Sequence, residues 1–292
     1  MIYSIKQLKN MIRCKKQLPS DFNQWYLIIS KRKRTTIAHL AAQHKCLPPD
    51  FDRWYLRDKD EQTVAHIATR CGYLPSNFNQ WNLANNTGWT VAHEAAYYGH
   101  LPSGFNQWEL ANCYDYTVAH IAARHRCLPP NFNQWNLANN TGWTVAHEAA
   151  RYHCLPSNFN QWELADNNGW TVAHEAAMYG YLPPNFNQWN LAKEDGWTVA
   201  HVAASHGHLP SDFNQWDISD YINARSVAHV AAYHNRLPSN FNQWEITDKH
   251  GRTVAWEAYE HGHLPSNFDR WDLIKKNQEK RNNHELFNRT TK

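Results

Sequence analysis

The pair Leu-Pro recurs along this chain at Leu18, Leu47, Leu74, Leu101, Leu128, Leu155, Leu182, Leu209, Leu237 and Leu264. The period is 27 residues, with a slip of two at the first interval and of one near Tyr221. All thirteen prolines stand at this mark, so the residue that lacks an amide donor is confined to one point of each unit. Phe78 to Ala96 returns without a change as Phe132 to Ala150. A period of this size overrides the domain count that 292 residues would otherwise suggest. A unit of ~27 residues cannot bury its own Val, Ala, Leu, Phe and Trp, so neighbours must stack and share a core.

Within a unit the signals predict two short helices and a turn. The first helix starts at a Thr that can cap it, at Thr63, Thr90, Thr117, Thr144, Thr171, Thr198 and Thr253, with Ser226 in one unit. Val and Ala follow at helical spacing, as in Val91, Ala92, Ala95 and Ala96. Gly99, Gly180, Gly207 and Gly262 stand where that helix should stop. After Leu-Pro, Asn77-Phe78-Asn79-Gln80 has the arrangement of a capping box, which predicts a second helix over about Phe78 to Leu83 with Phe78, Trp81 and Leu83 buried. The Trp of the Phe-x-x-Trp motif, from Trp25 to Trp271, occurs in every unit and is expected to form a core ladder. A polar turn such as Ala84-Asn85-Asn86-Thr87-Gly88 closes the unit.

The series Gly-x-Thr-Val-Ala-His-x-Ala-Ala-x-x-Gly-His-Leu resembles the ankyrin repeat, whose signature is Thr-Pro-Leu-His-x-Ala-Ala followed by Gly-His. The likeness runs over about nine units from Thr36 to the last Leu-Pro. Val-Ala replaces Pro-Leu, and the period is about six residues shorter than the usual 33. The expected fold is therefore an all-α, ankyrin-like helical-repeat solenoid of about ten two-helix units, a curved rod on the order of 90 Å long. The expected organisation is one array over 1–274, with 1–34 as an N-terminal capping unit, 35–264 as central repeats and 265–274 as a last half-unit. Residues 275–292 are expected to form a basic tail.

Charge is unevenly spread behind a net +3. Residues 1–34 carry about +8, 275–292 about +4 and the repeats between them about −9. An acidic middle suits a phosphate backbone poorly, so nucleic acid is the disfavoured partner. The six cysteines do not read as a disulfide framework, since Cys127 and Cys154 fall one layer apart; reduced thiols point to a cytoplasmic protein. Met1 to Lys16 lacks the continuous apolar stretch of a signal peptide, and no segment approaches the ~18 apolar residues of a membrane span, so no membrane insertion is expected. Lys31-Arg32-Lys33-Arg34 reads as a solvated loop tip in preference to an import signal or an anionic-surface contact.

Eight first helices carry a histidine, at His39, His66, His93, His120, His147, His174, His201 and His229, with Trp256 in the ninth place. Equivalent positions one layer apart are too distant to share a metal ion. The ankyrin resemblance implies that His93, His120, His147, His174 and His201 are structural, hydrogen-bonding within and between turns. His-Glu-Ala-Ala lacks the second ligand of the His-Glu-x-x-His motif, having Tyr97, Arg151 or Met178 there. No catalytic group has a partner, and neither an enzyme site, a metal nor a cofactor is expected.

The position before the capping Thr is aromatic in five central units, Trp89, Tyr116, Trp143, Trp170 and Trp197, and is not aromatic in the outer ones. In ankyrin repeats the matching position is exposed on the concave side, next to the pair that follows Ala-Ala. That pair supplies Tyr98, Arg124, Arg151, Tyr152 and Tyr179. An aromatic stripe with Arg beside it is what protein interfaces use as anchors. Glu94, Glu148 and Glu175 would add an acidic component. The competing reading is that each Trp lies flat against the next unit's helix and seals the stack. The preferred reading is a non-catalytic, monomeric scaffold that binds another protein through this face; the alternative is a repeat protein that holds single-stranded nucleic acid. Near-identical short repeats of this kind resemble those of proteins that intracellular bacteria deliver into host cells, which implies an effector.

Overall fold

The computed structural model describes residues 3–15, 18 and 22–278. They form a helical repeat in two compact units, Met1–Cys154 and Leu155–Lys292. The first holds α1 (Ile5–Arg13), the strands β1 (Ile28–Ser30) and β2 (Thr35–Thr36), α2 (Ile37–Gln43), α3 (Val64–Arg70), α4 (Val91–Tyr98), α5 (Val118–Arg124) and α6 (Val145–Arg151). The second holds α7 (Val172–Tyr179), α8 (Val199–His206), α9 (Val227–Tyr233), α10 (Val254–Glu260) and α11 (271–278).

The repeat has one helix, where the sequence pattern predicts two. The stretch over Phe78 to Leu83 is not helical; it follows one turn, closed by Phe78 N–H to Pro75 O at 3.0 Å, and ends in another, closed by Leu83 N–H to Gln80 O at 3.2 Å. Phe78 is buried there, while Trp81 and Leu83 are half-buried. The open turns leave their carbonyls free for another task. Val91 N–H donates to Leu83 O at 2.9 Å and Ala92 N–H to Trp81 O at 3.1 Å. The side chain of Thr90 accepts from His93 N–H at 3.3 Å. The unpaired amides that open α4 are thus satisfied by the preceding turns and by the cap. The same arrangement opens α8, with Val199 to Leu191 O at 2.9 Å and Ala200 to Trp189 O at 3.1 Å. The reciprocal capping box stands at Thr90 and His93, not at Asn77 and Gln80.

A left-handed residue ends the helix. Gly99, Gly180 and Gly207 take φ of 70°, 74° and 77°. Beyond Gly99, His100 N–H closes back on Ala95 O at 2.7 Å, the longer-range bond of a Schellman turn. In other repeats the same position is filled, at a steric cost, by Lys45, Arg126, His153 and Asn235, all at positive φ.

In the first unit α2 to α6 pack each on its sequence neighbour, with the Val and Ala of their shared faces buried. Beneath them runs an aromatic ladder in which Phe and Trp alternate edge to face: Trp54–Phe78 at 5.6 Å, Phe78–Trp81 at 5.0 Å, Trp81–Phe105 at 5.6 Å, Phe105–Trp108 at 4.9 Å. The second unit repeats the pattern from Phe159–Trp162 to Phe268–Trp271. Trp271, expected in the core, is 49% exposed, because among the described residues no further Phe follows it.

α1 packs ahead of the first repeat. Ser4 and Gln7 form its capping box, and Leu8 and Ile12 are buried. In the second unit α11 buries Leu273, Ile274 and Asn277, and Asn277 Nδ2 donates to Leu273 O at 2.9 Å. The expected basic tail lies outside the described residues from position 279 on. All six cysteines are free thiols. Among the described residues no helix is long and apolar enough to cross a membrane.

Candidate interaction surface

The aromatic stripe is positioned by the polar turn. Asn85 N–H donates to Trp89 O at 3.0 Å, while the Asn85 side-chain carbonyl accepts from the amides of Thr87 and Trp89, both at 3.0 Å. This Asx turn, with Gly88 at φ 72°, delivers the aromatic residue next to the helix cap. Asn112, Asn139 and Asp166 do the same for Tyr116, Trp143 and Trp170.

From there each ring folds back over the histidine of its own helix. Trp89 lies 5.0 Å from His93 at 33° and Trp143 4.6 Å from His147 at 31°; Tyr116 meets His120 edge-on at 5.4 Å. In the second unit Trp170 lies 5.1 Å from His174 and Trp197 4.9 Å from His201. All five stripe residues are half-buried as a result, the four Trp with one ring face committed to the repeat that carries them.

The glutamates do not contribute the acidic component expected of them, because Glu94, Glu148 and Glu175 are buried. Their carboxylates turn inward to donors that await them. Trp89 Nε1 donates to Glu94 at 2.8 Å and Arg70 Nε to its other oxygen at 2.7 Å. Trp170 Nε1 donates to Glu175 at 2.8 Å. Arg124 pairs with Glu148 at 2.6 Å and places its guanidinium 5.7 Å over Tyr116. Arg151 lies 4.7 Å over Trp143. In that repeat Trp143 Nε1 and Glu148 Oε2 are buried without a hydrogen-bond partner.

Beside the stripe stand rings that face solvent. Tyr97 and Tyr98 are 47% and 42% exposed, and Tyr97 leans on His125 at 4.5 Å. In the second unit Tyr179 stacks on Tyr181 at 6.3 Å, both exposed. Tyr152 is half-buried.

The histidines are buried. The Thr90 amide can only donate, and it points at His93 Nδ1 at 3.1 Å, so Nδ1 accepts and Nε2 carries the proton. Nε2 then donates to Tyr116 O of the next repeat at 2.9 Å. His120 reaches Trp143 O at 2.9 Å and His174 reaches Trp197 O at 3.0 Å by the same geometry. His147 Nδ1 and His201 Nδ1 accept from the amides of Thr144 and Thr198. Burial holds the pKa of His93 and His120 down to about 4, and lowers that of His201.

A second inter-repeat donor escapes the sequence reading. The residue before Leu-Pro reaches back to the preceding helix or its exit: Tyr73 Oη to Leu47 O at 2.6 Å, His100 Nδ1 to Thr69 O at 2.7 Å, Cys127 Sγ to Ala96 O and Cys154 Sγ to Ala123 O, both at 3.2 Å. His208 and His263 reach Ala177 O and Ala232 O in the second unit. Tyr, His and Cys share little beyond a donor at that reach, so no residue type marks the position. Burial pushes the Cys154 thiol up to about 11, the opposite of an activated nucleophile. Among the described residues no group of three His, Cys, Asp or Glu side chains is placed to hold a metal ion.

No known protein family and no curated protein matches this chain. What the surface does has to follow from its own geometry.

Proposed function

We propose that this repeat protein is a non-catalytic scaffold that binds another protein through the aromatic face of its repeats. The observation that carries the reading is the pair Tyr97 and Tyr98, large rings exposed beside half-buried Trp89 and Tyr116. Rigid aromatic side chains held on helices are the anchors that protein interfaces favour. Tyr179 and Tyr181 stand exposed in the second unit, in the repeat that carries Trp170. Arg70 and Arg124 are committed to buried glutamates, which takes away cations that a nucleic-acid groove would need at that face. The ankyrin likeness and delivery into a host cell belong to this proposal through the sequence resemblance alone.

The test is affinity capture from eukaryotic lysate with the parent chain and with Tyr97→Ser/Tyr98→Ser. These side chains are exposed, so the variant should melt like the parent. A protein retained by the parent and lost by the folded variant supports the reading. Equal capture by both places the partner elsewhere and defeats it.

A further inference from the structure

We infer that the N-terminal end of the first unit is a docking face for the surface of an anionic lipid bilayer. Ahead of Asp50 the chain carries Lys6, Lys9, Arg13, Lys15, Lys16, Lys31, Arg32, Lys33, Arg34 and Lys45 against a single acid, Asp21. Seven of the nine described members lie on α1 or in the turn that follows β1, and α1 touches β1, where Lys9 Nζ donates to Ile29 O at 3.2 Å. Along α1, Lys6, Lys9 and Arg13 follow at helical spacings of three and four, on a side other than that of buried Leu8 and Ile12. From β1 the chain enters the turn Lys31-Arg32-Lys33-Arg34, all four exposed, before it returns as β2.

Among the described residues no ion pair involves α1 or the β1–β2 turn. The nearest acids in sequence beyond Asp50 and Asp52 are those of the next polar turn, docked by Lys59 N–H to Lys33 O at 2.8 Å. There Asp58 accepts from the amides of Asp60 and Gln62, and Glu61 pairs with Arg57 at 3.3 Å. A cluster of like charge left unpaired on a folded surface costs self-repulsion, which an anionic partner relieves.

The apolar side chains among the cations decide the partner. Ile5 on α1 is 40% exposed, Ile28 on β1 is 46% exposed and Tyr26 just before β1 is 58% exposed. A phosphate backbone has no use for exposed isoleucines. A bilayer surface does, because aliphatic and aromatic side chains enter the headgroup boundary while Lys and Arg meet the anionic headgroups. This is contact from one side; no described helix could span.

Co-sedimentation of the full chain with vesicles of phosphatidylcholine, with and without phosphatidylserine, tests the inference. Binding is expected only with phosphatidylserine. Lys31→Ser/Arg32→Ser/Lys33→Ser/Arg34→Ser should weaken it roughly 100-fold or more, and Ile5→Ser/Ile28→Ser about tenfold. A parent that ignores phosphatidylserine overturns the inference. So does a folded four-charge variant that still binds, which would move the contact to other cations such as those of 275–292. An isoleucine variant that binds vesicles as the parent does overturns the bilayer as partner in favour of a general polyanion site, for which a single-stranded oligonucleotide should compete equally. Should the four-charge variant fail to fold, the isoleucine variant and a salt titration of the parent decide between these outcomes.

Discussion

Trp89 and Trp143 sit in identical stretches of sequence and do different things. Trp89 Nε1 is held by Glu94, whose other oxygen takes Arg70, whereas Trp143 Nε1 and Glu148 Oε2 are buried without a hydrogen-bond partner and Arg151 covers the Trp143 ring instead. Replacing Trp89 by Phe strands a buried carboxylate oxygen and should cost about 1–3 kcal/mol. Trp143→Phe removes a donor that has no partner, and its cost should stay within about 1 kcal/mol; paired urea melts compare the two directly. The histidines set a pH dependence of definite sign. With folded pKa near 4 against an ordinary 6.5, His93 and His120 stay neutral while the unfolded chain takes up protons. Stability is therefore full above pH ~6.5 and falls as pH drops towards ~4, by about 2 kcal/mol for each of the two at pH ~5. His39, His66 and His229 are shifted the same way by burial. Urea melts at neutral pH and near pH 5 would show it, and a midpoint unchanged over that range would refute the neutral imidazoles. That Thr caps these helices was legible in the sequence, since a hydroxyl before Val-Ala has one obvious use. The destination of His93 Nε2 was not, because a backbone carbonyl in the next repeat has no residue type. Nor was the inward turn of Glu94, which depends on Arg70 one repeat earlier.

At the scale of the element, a repeat is one short helix closed at both ends. Lys45 occupies the left-handed exit position at φ 59° that Gly99 fills at 70° in another repeat. Lys45→Gly should relieve the Cβ strain and, after the added freedom of the unfolded chain is subtracted, raise stability by roughly 0.5–1 kcal/mol in a thermal melt. Gly88 presents the reverse case. It stands at φ 72°, and a Cβ there would come 2.8 Å from the backbone nitrogen of Cys113 in the next turn. Gly88→Ala should cost about 2 kcal/mol or more, since neither the backbone nor the neighbouring turn can give way cheaply. Gly99 and its equivalents were readable as helix stops because glycine at that spacing has a conformational reason. The missing second helix was not readable. Asn77 and Gln80 have the residue types of a capping box, but the carbonyls of Trp81 and Leu83 are needed to open α4. Local pattern and that long-range need compete, and the pattern alone cannot report the winner.

Across a compact unit the repeats meet through the same few contacts, which makes whole repeats exchangeable. In Met1–Cys154, residues 78–131 amount to two periods of 27, and Phe132 to Ala150 copies Phe78 to Ala96. Excising 78–131 joins Asn77 to Phe132. The main contacts made by the lost stretch then have ready substitutes: Trp54 meets Phe132 where it met Phe78, Arg70 meets Glu148 where it met Glu94, and His66 Nε2 finds Trp143 O where it found Trp89 O. The donor before Leu-Pro is also supplied, by Cys154 in place of His100. Energies in such arrays are sums of repeat terms and nearest-neighbour interfaces, so the shortened chain should fold cooperatively, with a lower midpoint and a denaturant slope reduced by roughly a fifth. Excising 82–131 instead removes a length that is not a multiple of the period, and sets Trp81 directly before Phe132. The aromatic ladder then has no register to continue in, and cooperative unfolding should be lost. If both deletions melt alike in urea, the contacts seen between repeats are not what carries the stability of this unit.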